Sequence, residues 1–148
     1  MIRELCKEDK ETFAKMVKSL YSGEAVLYPI SDDNIDKTFK EVISGSPYVK
    51  AYIIECDNEM AGYALISLTY SNEAGGIVVI IDELYIDDKY RGKGLGTELL
   101  KFIEEKYSNK VKRYRLEVSN ENEAAEKLYR RIGYEVLDYK QLVKDIAN

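Results

Sequence analysis

The chain has 148 residues, enough for one domain with a buried core, and carries 22 lysines and arginines against 27 aspartates and glutamates. The resulting net charge of −5 argues against a free-standing nucleic-acid-binding protein, because such proteins carry an excess of positive charge. The absence of histidine excludes Ser–His–Asp and Cys–His hydrolysis, and the two cysteines, Cys6 and Cys56, form no metal-binding pair. We therefore expect a cytoplasmic protein with reduced thiols, no metal and no membrane segment.

The first part of the chain is predicted to form one strand and two helices. Residues 2–6 have the character of a short strand, and apolar residues at helical spacing follow in residues 10–22. A second apolar stripe, with Asp33 or Asn34 as its N-cap and Gly45 near its end, predicts a second helix.

The middle of the chain is predicted to form three consecutive strands. Residues 48–56 and 60–70 are rich in β-branched and aromatic side chains and are separated by the turn sequence Asp-Asn-Glu. After a second turn at residues 74–76, the unbroken apolar run at residues 77–81 predicts a strand that is buried on both faces.

Helical and strand patterns alternate in the rest of the chain. The predicted elements are a helix at 94–107, a strand at 114–118, a helix at 125–132 and two closing strands at 134–137 and 139–143. The complete order, β-α-α-β-β-β-α-β-α-β-β, indicates a mixed α/β layer fold.

Residues 91–97, which read Arg-Gly-Lys-Gly-Leu-Gly-Thr, lie between the central strand and the helix that follows it. Three alternate glycines leave backbone N–H groups unshielded at a helix N-terminus, and Arg91 and Lys93 add positive charge, so this loop suits a phosphate or pyrophosphate. The loop lacks the Gly-Lys-Ser/Thr ending of a Walker loop, and its spacing departs from the G-x-G-x-x-G of dinucleotide-binding folds. Glu117 stands where a ribose-binding acid would, but a lone acid is weak support for dinucleotide binding.

Two segments resemble the GNAT superfamily of acyl-CoA-dependent N-acetyltransferases. Residues 91–96 match the cofactor signature Arg/Gln-x-x-Gly-x-Gly/Ala of that family at every defined position. A second family element, Asn-x-x-Ala-x-x-Leu-Tyr with a Gly-aromatic ending, lies in the expected order and separation. Its matching residues here are Asn122, Ala125, Leu128, Tyr129, Gly133 and Tyr134.

This resemblance implies a single domain over residues 1–148 with an α/β fold of the α+β type. Its mixed, strongly bent sheet of about seven strands would carry helices on both faces, with strands four and five splayed around the pantetheine arm. Acetyl-CoA would be the cosubstrate, held by backbone groups of strand four and by the glycine loop. The implied cofactor-binding residues are Leu84, Tyr85, Ile86, Arg91, Gly92, Lys93, Gly94, Leu95, Gly96, Thr97 and Asn122.

The expected reaction is transfer of an acetyl group to a primary amine. An ammonium with a pKa near 10.4 must first lose its proton, at a cost of about 4 kcal/mol at neutral pH. Without histidine, a carboxylate is the natural base, and Glu83 is the first choice, with Asp82 on the opposite face unless a bulge exchanges them. The Leu84 amide is the candidate oxyanion donor, and Tyr129 matches the family tyrosine that acts as general acid.

The acceptor is expected to contact residues 21–33 and 70–76, where acids and tyrosines cluster. This composition suits a small cationic amine, although a solvated acidic surface explains it equally well, and a peptide amine remains an alternative. Two other function classes stay open: a non-catalytic acyl-CoA-binding sensor and a nucleotide-binding module. The family resemblance also admits a homodimer, for which the sequence gives no independent support.

Overall fold

A computed structural model describes residues 1–147 as one five-stranded sheet with helices on both faces. The strands follow the order β1-β2-β3-β4-β5, and neighbours run antiparallel except β4 and β5, which are parallel. The strands are β1 Ile2–Glu4, β2 Val49–Cys56, β3 Glu59–Ser71, β4 Gly76–Ile86 and β5 Arg113–Leu116. The helices are α1 Lys10–Tyr21, α2 Asp32–Ile43, α3 Leu95–Tyr107 and α4 Glu123–Arg131, and short 3-10 turns lie at Lys7–Asp9 and Asp88–Tyr90.

The sheet separates two apolar cores. Phe13 of α1 and Phe39 of α2 pack with Tyr63 and Tyr85 on one face, while Leu99 and its neighbours in α3 pack on the other. Helix α4 has no fully buried residue, and its Tyr129 and Ile132 side chains pack against the α3 core. No helix within residues 1–147 has the length and apolar character that a membrane crossing requires.

The first nine predicted elements are confirmed in type and order, but the two closing strands at 134–137 and 139–143 are wrong. Residues 134–147 have no regular secondary structure, so the described sheet has five strands rather than seven. A strand needs a neighbouring backbone and a surface to cover, whereas Leu142 is 93% exposed and Val143 is 79% exposed. The strong bend of the sheet stays a prediction.

The start of α2 also differs from the prediction. The N-cap is Ser31 rather than Asp33 or Asn34, and the Ser31 hydroxyl accepts a hydrogen bond from the Asn34 amide at 3.1 Å. Helix α2 therefore begins at Asp32, and the loop between α1 and α2 spans residues 22–31.

An ion-pair network joins the N-terminal strand to the beginning of α1. The Arg3 guanidinium donates two hydrogen bonds to the Asp9 carboxylate, at 2.7 and 3.0 Å, and one to Glu55 at 2.8 Å. The Cys6 amide donates to Asp9 at 2.9 Å. The hydrogen bonds from Arg3 lower the pKa of the buried Asp9 carboxyl to about 2, despite its burial. This network fixes the first turn of α1 relative to β1 and β2.

We expect Asp9→Asn to destabilise the protein at neutral pH by about 1–3 kcal/mol, because Arg3 loses its charged partner. Since the folded pKa of Asp9 lies below the unfolded value near 3.9, its stabilisation is fully present above about pH 4. That stabilisation is lost as the pH falls through about 2. Urea unfolding of both proteins from about pH 7 to pH 2 measures the difference.

The control is Glu11→Gln, since Glu11 makes only an exposed ion pair with Lys15 at 3.3 Å. A defect in Asp9→Asn that is the same at about pH 7 and pH 2 would show that the Arg3–Asp9 charge pair is not its cause.

Candidate active site

A β-bulge in β4 determines where the two candidate acids point. Leu65 of β3 pairs with Glu83, but the next residue, Ile66, pairs with Ile81, so Asp82 is an extra residue in β4. The bulge reverses the alternation of the strand. Ile81 packs on the α3 face of the sheet, and a regular strand would place Glu83 on that same face. The bulge instead places Glu83, and Tyr85 two residues later, on the α1 face.

Glu83 consequently faces α1 and accepts two hydrogen bonds from tyrosines. The Tyr21 hydroxyl donates to Oε2 and the Tyr63 hydroxyl donates to Oε1, both at 2.7 Å. Burial raises the pKa of the Glu83 carboxyl, the nearby charge of Asp82 raises it further, and the two hydroxyls oppose this shift; the net change is upward. The carboxylate is thus both oriented and more basic than an exposed glutamate.

Asp82 lies beside the same space, because the strand has the bulge for which the sequence analysis allowed and not the regular alternation that would separate the two acids. Its carboxylate accepts a hydrogen bond from the Ser67 hydroxyl. Desolvation raises the pKa of Asp82, and the negative charge of Glu117 adds to the effect. The bulge therefore brings both candidate bases to one cavity.

This cavity, which we call the acidic cavity, has a volume of about 960 Å³. Its walls are the loop residues 25–30, the α2 residues that face them, parts of β3 and β4, and residues 117–119. Four carboxylates line it, those of Glu41, Asp82, Glu83 and Glu117. Lys37 also lines the cavity, but it forms an ion pair with Asp33 at 2.8 Å. The lining is therefore strongly negative.

Only one of the two segments predicted to contact the acceptor lines the acidic cavity. Tyr21 and the loop that follows α1 line the acidic cavity, whereas residues 70–76 do not belong to its described lining. Glu73 instead accepts hydrogen bonds from Arg113 at 2.7 Å and from Tyr139 at 2.9 Å. The turn between β3 and β4 thus binds β5 and the C-terminal segment through the side chain of Glu73.

The glycine loop opens α3 as the sequence predicts. Gly92 and Gly94 both have φ of +76°, a conformation that other L-residues rarely adopt, and Gly94 is the N-cap of α3. A Cβ atom at either glycine would meet nothing within 4 Å, so the space before the helix is open. Within the described residues 1–147, no side chain caps α3, which leaves its first amides available to an anion.

The two cations of the loop are already engaged. Arg91 Nε donates to the Ile86 carbonyl at 3.0 Å, and Arg91 Nη1 lies 2.9 Å from Asp88. The Lys93 ammonium lies 5.4 Å from the centre of the Tyr90 ring. These contacts hold Arg91 against the end of β4 and Lys93 against the 3-10 turn that follows it.

The end of β4 borders a gap in the sheet. Pairing between β4 and β5 ends at Ile81 and Leu116, although β4 continues to Ile86. Among residues 1–147, the part of β4 from 82 to 86 has no strand partner on its β5 side. The backbone of Leu84 and Ile86 therefore lies at the edge of this gap, while the Tyr85 side chain is buried in the α1 core.

The second motif builds α4. Asn122 is its N-cap, and the side-chain oxygen accepts a hydrogen bond from the Ala125 amide at 3.3 Å. Tyr129 packs on the α3 side of the sheet with its ring 6.0 Å from that of Tyr134. Burial raises the pKa of the Tyr129 hydroxyl, which keeps it protonated at neutral pH. The two candidate catalytic residues, Glu83 and Tyr129, thus lie on opposite faces of the sheet.

Sequence analysis did not identify Tyr63 as a partner of Glu83, nor Glu117 as a cavity residue. Tyr63 lies two residues from Leu65 on the same face of β3, which makes it the diagonal neighbour of Glu83. That relation could have been found only with the strand register, because a regular hairpin would place Glu83 on the other face. Glu117 follows β5 directly, so its position depends on the parallel pairing of β4 with β5.

Comparison with known proteins gives one family. The model of the acetyltransferase (GNAT) family matches residues 13–134. The spermine/spermidine N(1)-acetyltransferase of Bacillus subtilis (strain 168) is 30% identical over 109 residues, which cover 67% of this chain and 72% of that protein. The thialysine N-epsilon-acetyltransferase of Mus musculus is 35% identical over 75 residues, or 50% of this chain and 44% of that protein.

Solved structures share the fold. A possible acetyltransferase from Clostridium difficile 630 superposes with a TM-score of 0.84 and 22% identity, covering 100% of this chain and 98% of that one. AAC(6')-Iy, in complex with the bisubstrate analogue CoA-S-monomethyl-acetylneamine, gives a TM-score of 0.82 at 20% identity, with 99% and 98% covered.

We expect Glu83→Gln to stabilise the folded protein at neutral pH, because it removes a charge from a buried site and keeps the size of the side chain, while its amide can accept from one tyrosine hydroxyl and donate to the other. Since the folded pKa of Glu83 lies above the unfolded value near 4.3, the wild-type protein loses stability as pH rises between the two values. The variant has no such loss. Thermal unfolding from about pH 4 to pH 8 should show an advantage of the variant that grows with pH.

The control is Glu105→Gln, which changes an exposed glutamate on α3. If Glu83→Gln differs from wild type by the same amount at every pH, burial of the Glu83 charge does not affect stability as described.

Proposed function

Because the chain belongs to the GNAT family of acetyltransferases, we propose that it transfers an acetyl group from acetyl-CoA to the primary amine of a small cationic molecule. The observation that carries this proposal is the placement of two unlike sites on either side of the gap beside β4. One is an anion-binding helix start at residues 92–97, and the other is the acidic cavity that contains Glu83.

The residues beside the gap fit acetyl-CoA. The open space at Gly92 and Gly94 and the uncapped amides of α3 suit its pyrophosphate, and the free edge of β4 at Leu84 and Ile86 suits an extended ligand with amide groups. Acetyl-CoA supplies the acetyl group as an activated thioester. Asn122 caps the start of α4 and so helps to position Tyr129, which that helix carries.

The acidic cavity supports a cationic acceptor. Four carboxylates face a space of about 960 Å³, and Tyr21 and Tyr28 add aromatic surface. The names of the similar proteins agree with this class, since they describe enzymes that act on spermine, spermidine, thialysine or aminoglycosides. Spermidine is therefore the first acceptor to assay.

Glu83 is the proposed base. It lies in the cavity wall, and burial brings its pKa closer to neutral pH, where a base is most effective. Asp82 is the alternative, because the bulge places it in the same wall. Tyr129 is the proposed general acid, since it matches the family tyrosine and its hydroxyl stays protonated at neutral pH, which lets it donate the proton needed at the end of the transfer.

We expect saturating acetyl-CoA to raise the melting temperature, because a ligand that binds only the folded state stabilises it. Gly94→Ala should reduce this shift, since its methyl group would occupy the open space before α3. Differential scanning calorimetry with and without acetyl-CoA measures both effects.

Gly45→Ala is a matched control, because Gly45 also has positive φ, +80°, and an open Cβ position but lies at the end of α2. Both substitutions should cost about 1–2 kcal/mol of backbone strain. A ligand-induced shift that is equal in the two variants, or absent from wild type, would contradict the placement of the cofactor.

We expect Glu83→Gln to slow acetylation of spermidine at neutral pH by about 100-fold or more, as for a lost general base. The defect should shrink as the pH approaches the pKa of the amine, because the substrate then arrives deprotonated. Comparison of pH–rate profiles for wild type, Glu83→Gln and Asp82→Asn measures this. Parallel profiles for Glu83→Gln and wild type would remove Glu83 as the base, and a pH-dependent defect in Asp82→Asn alone would assign the role to Asp82.

A further inference from the structure

The two tyrosines that hold Glu83 differ in their access to the acidic cavity. Tyr63 is 0% exposed and packs edge-on against Phe13, with ring centres 5.1 Å apart. Tyr21 is the last residue of α1, is only partly buried and lines the cavity. The oxygen held by Tyr63, Oε1, therefore points into the protein, and the oxygen held by Tyr21, Oε2, is on the side that opens to the cavity.

Two-point attachment also fixes the rotation of the carboxylate. Each hydroxyl binds a different oxygen at 2.7 Å, so neither oxygen can exchange places with the other while both bonds persist. An ammonium that enters from the cavity meets Oε2 on the side where the Tyr21 hydroxyl binds, and the two donors compete for the lone pair that faces the cavity. A hydrogen bond between two charged groups is stronger than one from a neutral hydroxyl, so the ammonium has the advantage.

We propose that Tyr63 and Tyr21 are positioning residues with different roles: Tyr63 holds Oε1 of Glu83 throughout, whereas Tyr21 holds Oε2 only until the amine substrate replaces it. This inference rests on the proposed function. In the step that follows, an N–H bond of the ammonium breaks, its proton bonds to Oε2, and the nitrogen keeps the electron pair.

The exchange changes the basicity of Glu83 when it is needed. Each tyrosine hydrogen bond favours the charged carboxylate, and so lowers the pKa that burial raises. The bound ammonium also stabilises the charged carboxylate, but once Tyr21 has left, Glu83 takes the proton more readily than it would with both tyrosine hydrogen bonds in place. Without substrate, both hydroxyls pair with the buried carboxyl group and oppose the rise in its pKa that burial causes.

Other charged and titratable groups surround Glu83. Asp82 is its neighbour in β4, and Tyr85 lies with its ring 6.0 Å from that of Tyr63. The remaining groups of the described lining face the same cavity from the loop between α1 and α2, from α2 and from the end of β5; they are Tyr28, Lys37, Glu41 and Glu117. None of these donates a hydrogen bond to Glu83 in the described chain, so the two tyrosine hydroxyls can be tested separately.

The test compares pH–rate profiles of wild type, Tyr21→Phe and Tyr63→Phe with acetyl-CoA and spermidine. On the acid side, the pH profile of kcat/KM reports the pKa of the base in the free enzyme, and the profile of kcat reports its pKa in the substrate complex. Tyr63→Phe should move the acid side of both profiles to higher pH. Tyr21→Phe should move kcat/KM alone, since wild type has already released Tyr21 in the complex.

The control is Tyr52→Phe, which removes a buried hydroxyl that bonds Tyr107 at 2.6 Å on the other face of the sheet. The pH profiles of kcat and kcat/KM for Tyr52→Phe should coincide with those of wild type. If Tyr21→Phe moves kcat and kcat/KM equally, Tyr21 stays bound in the complex and the exchange is wrong.

A second measurement does not depend on acetyl transfer. The carboxyl carbon of Glu83, assigned by comparison with Glu83→Gln, is titrated by carbon-13 NMR in the ligand-free proteins. A midpoint at higher pH in both Tyr21→Phe and Tyr63→Phe supports the two bonds, and an unmoved midpoint in either variant overturns the proposal. If wild type does not acetylate spermidine, the proposed substrate has failed, and the NMR titration still decides whether the tyrosines control Glu83.

Discussion

The extra residue in β4 is the constraint on which the site depends. Because Asp82 has no partner in β3, the strand changes its alternation there, and Glu83 turns from the α3 core toward α1. The same irregularity lies where β4 loses its pairing with β5. One bulge thus places a carboxylate in the acidic cavity at the edge of the gap, in agreement with the tendency of bulges to occur beside active sites.

The two faces of the sheet supply different chemistry to that gap. The α1 face provides Glu83, held by residues of α1 and β3, and the Arg3–Asp9 network fixes the start of the helix that ends in Tyr21. The opposite face provides the N-terminus of α3 and, through α4, Tyr129. Under the proposed function, the negative cavity receives the cationic amine and the helix start receives the anionic cofactor, so the two sites do not attract the same ligand.

Sequence predicted the features that depend on local interactions. Hydrophobic periodicity predicts the order of the first nine elements. The glycines predict the loop before α3, because Gly92 and Gly94 adopt the positive φ that other residues avoid. Prediction from the sequence failed where a feature depends on a strand or side chain that is far away along the chain. The closing strands were wrong because no neighbouring backbone pairs with residues 134–147, and the contact of Tyr63 with Glu83 depends on a register shift that periodicity does not reveal.

A crystal structure with CoA and spermidine bound tests the central claim most directly. The account places a nitrogen of spermidine within hydrogen-bond distance of Glu83 Oε2, the Tyr21 hydroxyl released from that oxygen, and the pyrophosphate at residues 92–97. Spermidine bound with no nitrogen near Glu83, or a pyrophosphate away from the start of α3, would contradict it.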